Sequence, residues 1–129
     1  MINETPSAEA IIASISELLT DEVMPQLTRS DTRYKLLVAR NALGIVSREL
    51  TLGKGAAEDE LQQLNALAGC NSLTLRAARE ALCEQLRRGD ADEELSAMAK
   101  NLLPSTLARL AIDNPSYSTL TAFSHHVAG

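Results

Sequence analysis

Aromatic side chains are nearly missing from this chain of 129 residues: Tyr34, Tyr117 and Phe123 are the full set, and there is no Trp. Stacking platforms for unpaired bases cannot be assembled from so few rings. The core has to be made of Leu, Ile, Val, Met and Ala, which suit close helix packing. Cysteine is scarce as well. Cys70 and Cys83 stand alone, with no CxxC pair. A chain of this length buries roughly two thirds of its unfolded surface without staples, so both read as free thiols. No run of about 18 apolar residues is available to span a bilayer, and no basic segment leads into an apolar one as a secretory signal would. The expectation is a cytoplasmic protein with no membrane role. Positive charge is in deficit: twelve Lys and Arg against seventeen Asp and Glu leave a formal charge of -5. That balance argues against general nucleic-acid binding, which needs cations to neutralise phosphates.

Catalytic and cofactor motifs are missing too. The GKG around Lys54 is too short for a phosphate loop, and no HExxH stretch is present. His125 and His126 are adjacent, so they lack the spacing that puts two ligands on one helix face. No metal site and no cofactor are expected. Glu17, Asp21 and Glu22 read as a solvated edge, and Cys83, within ALCEQL, as a small core residue without a partner base.

What is present is helical periodicity in a globular composition, 45% hydrophobic and 22% charged. Thr5, Pro6 and Ser7 offer a cap and a first-turn proline for a first helix, with Ile11, Ile12, Ile15, Leu18, Leu19 and Met24 on its apolar face. Pro25 should end or bend it. A second helix is expected from about Thr32 to Leu52, closed by Gly53 and Gly55, and a third from roughly Ala56 to Ala68, stopped by Gly69 and Asn71. Ser72 can cap a fourth, ended by Gly89, with Arg87 and Arg88 suiting its negative pole. A fifth opens on Asp90, Asp92, Glu93 and Glu94 and reaches about Ile112, kinked or broken near Pro104. The fold class is therefore all-α: a compact bundle of about five helices forming a single domain over residues 1–129. Its core lies at about 6–117, with a variable C-terminal arm at about 118–129 carrying Leu120, Phe123 and Val127.

Two places on these helices offer chemistry. Asn41, within VARNALGIVSREL, interrupts an apolar stripe and has Arg40 and Arg48 on the same helix. The functional reading is an anion held by arginine and oriented by the amide. The structural reading is a buried Asn satisfied by another helix. Near the C-terminus, Arg109 and Asp113 are four apart and can pair. Asn114 before Pro115 favours a turn, and Tyr117 can fold its ring back on the core. A ligand site would draw on Arg40, Asn41, Arg48, Arg109 and Tyr117.

Taken together, PSAEAIIASISELLTDEVMPQL, YKLLVARNALGIVSREL and RLAIDNPSY resemble an uncharacterised family of small, all-helical bacterial proteins, over roughly residues 6 to 117. The resemblance implies genes that often neighbour those of aminoglycoside-phosphotransferase-like and acyl-CoA-dehydrogenase-like enzymes, and hence an accessory role. Amphipathic helices without a convergent catalytic set lead to the same expectation: a non-enzymatic accessory or protein-interaction domain, capable of homodimerisation or of meeting an enzyme partner. The alternative is a binding protein or minor enzyme for a small anionic metabolite, which requires at least two of the named polar groups to converge in a pocket.

Overall fold

The computed structural model describes residues 5–120 and 122, and every regular element among them is helical. There are four α-helices: α1 (Ala8–Glu17), α2 (Ser30–Ala68), α3 (Leu75–Arg88) and α4 (Leu95–Asp113). The chain divides into two compact units, Met1–Leu52 and Gly53–Gly129. The first part of α2 belongs to the first unit and the remainder to the second.

In the first unit, α1 starts where the Ser7 side chain accepts a hydrogen bond from Ala10 N at 3.1 Å. This is the N-cap that Ser residues supply, with Pro6 lying just before it. After Glu17 the helix widens into a π turn, Leu18–Val23, and closes with a 3-10 turn, Met24–Gln26. Pro25 lies in that last turn. It has no N–H to offer the carbonyls behind it, so the ladder stops, and Leu27 turns extended at φ -83°, ψ 124°. Arg33 reaches back from α2 to the exposed end of this segment, donating from Nη1 to Met24 O at 3.4 Å and Leu27 O at 3.3 Å.

The expected second and third helices are one. Gly53 is buried within a continuous α2, and positive φ among the described residues is confined to Gly69 and Gly89. Glycine permits a left-handed turn but does not impose one. Its cost inside a helix is about 1 kcal/mol against alanine, which the surrounding Leu, Ala and Glu residues outweigh. Among the described residues the α-helix count is therefore four, not five.

The second unit holds the core. Leu64 and Ala68 of α2, Ala78 and Leu82 of α3, Ala91 of the connecting turn and Met98 of α4 form one buried cluster, with Leu61, Leu75 and Leu102 packed around it. Ala68 and Ala78 are the cluster's helical alanines, small side chains of the kind that let helix backbones approach closely. Gly69, at φ +64°, ends α2 as its sequence position predicts. Asn65 holds the loop that follows. Its Oδ1 accepts from Ser72 N at 3.0 Å and from Cys70 Sγ at 3.2 Å, and its Nδ2 donates to Ser72 O at 3.0 Å. With its backbone engaged there, Ser72 is not the cap of α3. Thr74 is, accepting from Ala77 N at 3.2 Å. At the other end of α3, Gly89 adopts φ 75° as its left-handed cap, and Arg87 and Arg88 occupy the last turn.

The acidic residues after Gly89 open a 3-10 turn, Asp92–Glu94, that leads into α4. Pro104 lies inside α4 without breaking it. The backbone at Lys100, where an acceptor loses its donor to the proline, is at an exposed residue, a setting in which solvent can take the place of the missing bond. Thr106 adds a hydrogen bond from Oγ1 to Leu102 O at 3.2 Å in the same turn. Of the kink or break expected near Pro104, the break is not there: α4 runs on from Leu95 to Asp113 with Pro104 inside it. α4 ends where the AIDNPSY segment predicts: Asn114 N donates to Leu110 O at 2.7 Å, and a turn follows. Phe123, His125, His126 and Val127 lie outside the described residues.

Candidate functional site

Three of the five nominated residues sit on α2 in the first unit. Arg40 and Arg48 are half-buried, and Asn41 is exposed. Asn41 is therefore not a core amide satisfied by a facing helix. The Arg48 guanidinium lies back along the helix over Gly44, with Nη1 3.0 Å from where a Cβ at Gly44 would stand. The missing side chain there is what makes room for it.

The other two belong to the second unit. Arg109 is bound through both arms to Asp113, Nε to Oδ2 at 3.2 Å and Nη2 to Oδ1 at 3.1 Å, the i,i+4 pair read from the sequence. Tyr117 is 48% exposed, in the turn after α4, where its N donates to Asn114 O. Half its surface faces solvent, so the ring is not folded fully onto the core.

What the second unit brings beside Arg109 is a pair that sequence reasoning missed. Arg79 of α3 grips Glu60 of α2, with Nε and Nη2 each 2.8 Å from a carboxylate oxygen. Nineteen positions separate them, and no local spacing signals such a meeting. Together with Leu102, Ser105, Thr106, Leu110 and the Arg109–Asp113 pair, they line an open groove of about 450 Å³. The groove has an aliphatic floor and two guanidinium–carboxylate forks at its rim. Each fork is a planar bidentate match, the strongest form such a pair takes. An anion entering here would meet two guanidinium groups that each already face a carboxylate.

A second hollow, about 310 Å³, is lined by Gly89, Asp90, Ala91, Asp92, Glu93 and Glu94. Its acids stand at the start of α4, where the positive pole of the helix favours them. Among the described residues no group of His, Cys, Asp and Glu is arranged to hold a metal. Cys83 is exposed, not a core residue, and both cysteines are free.

The first unit carries the larger anomaly. Among its described residues none is buried, whereas nine large apolar side chains stand exposed, Tyr34 at 69% and Val38 at 51% among them. Ile11, Ile15 and Leu18 recur at helical spacing along α1 and the π turn. On α2, Tyr34, Leu37, Val38 and Leu52 lie toward one side, and Val46 and Leu50 stand one turn apart toward another. Single exposed apolar residues are ordinary, but a contiguous run of them marks an interaction surface.

The class of protein is thus an all-helical domain with a packed second unit, an apolar surface on its first, and no helix among the described residues long and apolar enough to cross a membrane. The chain belongs to the family described as Domain of unknown function (DUF6285), which it matches over residues 25–117. That span opens at the Pro25 turn and closes at Tyr117, leaving α1 outside it. No curated protein and no solved structure matches the chain.

Proposed function

We propose that this protein is a non-enzymatic interaction module in which the second unit supplies the stable scaffold and the first presents an apolar helical surface to another protein chain. The observation that carries this reading is the absence of any buried residue among residues 5–52, set against nine exposed large hydrophobics on the same stretch. Covering a half-exposed aliphatic side chain gains about 1 kcal/mol, so nine of them supply a driving force that a partner of matching shape can use. The resemblance drawn from the sequence, with the phosphotransferase-like and acyl-CoA-dehydrogenase-like gene neighbours it implies, makes enzymes one class of such partner. The anionic-ligand reading has less support. Arg79 and Arg109 do share a groove, but each is doubly bonded to a carboxylate already.

The test is recovery of the tagged full chain from cells that make it naturally, followed by sizing and mass analysis. It is run beside Ile15→Lys, which charges the exposed face of α1. A stoichiometric complex that the substitution disperses supports an interaction role. A strict monomer in both cases, with circular dichroism showing α1 intact, refutes it. A monomer that carries one reproducible phosphorylated or carboxylated compound moves the assignment to ligand binding.

A further inference from the structure

The loop between α2 and α3 holds the one Asn–Ser step of the chain, and its setting differs from that of the other asparagines among the described residues. Asn41 and Asn65 lie within α2 and Asn101 within α4, where the N–H of the next residue is taken up in the helical ladder. Asn114 precedes Pro115, which has no N–H. Asn71 alone combines an exposed side chain, irregular backbone and a following residue that is small and carries an N–H, Ser72.

That combination has a chemical consequence. The carboxamide carbon of Asn71 and the backbone nitrogen of Ser72 are the two ends of a five-membered ring waiting to close. Once that nitrogen gives its proton to base, its electron pair attacks Cγ of Asn71 and a C–N bond forms. The bond from Cγ to Nδ2 breaks, and the nitrogen departs with the proton as ammonia. Water then opens the succinimide at either carbonyl, leaving aspartate or isoaspartate. No oxidant, metal or cofactor enters the balance.

In the folded chain the attacking nitrogen is engaged. Ser72 N donates to Asn65 Oδ1 at 3.0 Å, and Asn65 Nδ2 donates to Ser72 O at 3.0 Å, so one side chain grips both backbone polar groups of Ser72. On the other side of Asn71, Cys70 N donates to Asn65 O at 3.1 Å. Bringing the Ser72 nitrogen onto Cγ needs a rotation of the peptide after Asn71, which contacts on both flanks resist, and a proton that Asn65 holds.

We infer that Asn71 is a site of spontaneous deamidation through the Ser72 nitrogen, and that Asn65 sets its pace by holding that nitrogen's proton. The inference makes no use of the first unit. Ring closure follows the fraction of molecules in which the loop is open. Its products put a carboxylate three residues before the Thr74 cap of α3, and isoaspartate also adds a methylene to the backbone between that cap and the Gly69 stop of α2. The joint between the two helices therefore changes its charge and its length as the molecule ages.

The experiment incubates the full chain in mildly alkaline buffer and follows the peptide containing Asn71 by mass spectrometry, with aspartate and isoaspartate separated by chromatography. The parent is run in buffer and in guanidinium chloride, beside Asn65→Ala and Leu82→Ala in buffer, with circular dichroism showing which samples stay folded. Conversion is expected at Asn71 ahead of Asn41, Asn65, Asn101 and Asn114, and at least about tenfold slower in the folded parent than in the unfolded chain. Asn65→Ala should raise the rate at least about fivefold, the change that losing one or two net hydrogen bonds makes to a local opening. Leu82→Ala weakens the core of the same unit but leaves the Asn65 contacts alone, so its rate should stay within about twofold of the parent. Isoaspartate beside aspartate identifies the ring, since direct hydrolysis yields aspartate only. Equal rates in the folded and unfolded parent overturn the inference, as do an Asn65→Ala rate no faster than the parent, an equal acceleration in Leu82→Ala, or aspartate without isoaspartate. Hydrogen exchange of the parent supplies a check that needs no variant: a Ser72 N–H that exchanges as fast as in the unfolded chain refutes the hold by Asn65.

Discussion

Replacing Asn65 with Ala removes the clamp between α2 and α3, and its cost can be worked from the contacts. The side chain makes two good hydrogen bonds to the backbone of Ser72, each 3.0 Å, and accepts a weaker one from Cys70 Sγ at 3.2 Å. Each neutral bond contributes about 1 kcal/mol net, and the site is part-buried, so the Ser72 N–H and C=O left behind are only partly rescued by water. The sum is about 2–3 kcal/mol. For a chain of this size that lowers Tm by roughly 10 °C. The assay is urea unfolding followed by circular dichroism at 222 nm, since a protein without Trp gives little fluorescence signal, with the m-value checked for constancy. Ser72→Ala is the control. It removes only an Oγ that lies 3.5 Å from Cys70 Sγ, leaves both backbone bonds in place, and is expected to change stability by less than about 0.5 kcal/mol. An Asn65→Ala loss below that same value would show that the loop is held by something other than this amide.

Leu82→Ala opens a cavity in the second unit's core, where the side chain is only 4% exposed, and should cost about 3–4 kcal/mol in the same denaturation assay. Two glycine substitutions should have opposite signs: Gly55→Ala, inside α2 with open space around its Cβ, gains about 0.5–1 kcal/mol, whereas Gly89→Ala loses more than about 1 kcal/mol because φ is +75° and the new Cβ would lie 3.0 Å from Asp92 Oδ2. Equal shifts in Tm for the two variants would contradict that contrast. A double-mutant cycle on Glu60 and Arg79, whose side chains are 21% and 55% exposed, should give a coupling near 1 kcal/mol that weakens in 1 M salt. A coupling indistinguishable from zero at low salt would mean that the fork in the groove contributes nothing to the second unit.

Punctuation that acts within one turn was legible in the sequence. A cap within Thr5–Ser7, Gly69 and Gly89 as stops, the end of the first helical segment at Pro25 and the Asn114 turn all stand where their local chemistry puts them, although the cap is Ser7 and Pro6 lies before it rather than in the first turn. The misreadings share a cause: a residue that allows an interruption was read as one that demands it. Gly53 stays helical because nothing around it requires the left-handed region, and Pro104 is tolerated because its lost hydrogen bond falls at an exposed turn. Ser72 was an apt cap in isolation, yet Asn65, seven residues upstream, had already engaged it. The Glu60–Arg79 fork was out of reach, since only the packing of α3 on α2 brings the two together. The apolar stripe through Asn41 was visible, but periodicity reports that a face is apolar and not which molecule covers it. That is why Asn41 read as a core amide when the structure leaves it exposed.

The unequal settings of the two thiols give the protein an internal clock. Cys83 is exposed and reacts with a thiol reagent at a rate set by the reagent, whereas Cys70, half-buried and bonded to Asn65, reacts when the turn between α2 and α3 swings open. Slower labelling is expected at Cys70, and referred to the rate of the same thiol in the unfolded chain it reports how readily that turn opens under native conditions. It reads the breathing of one joint while the rest of the molecule stays folded.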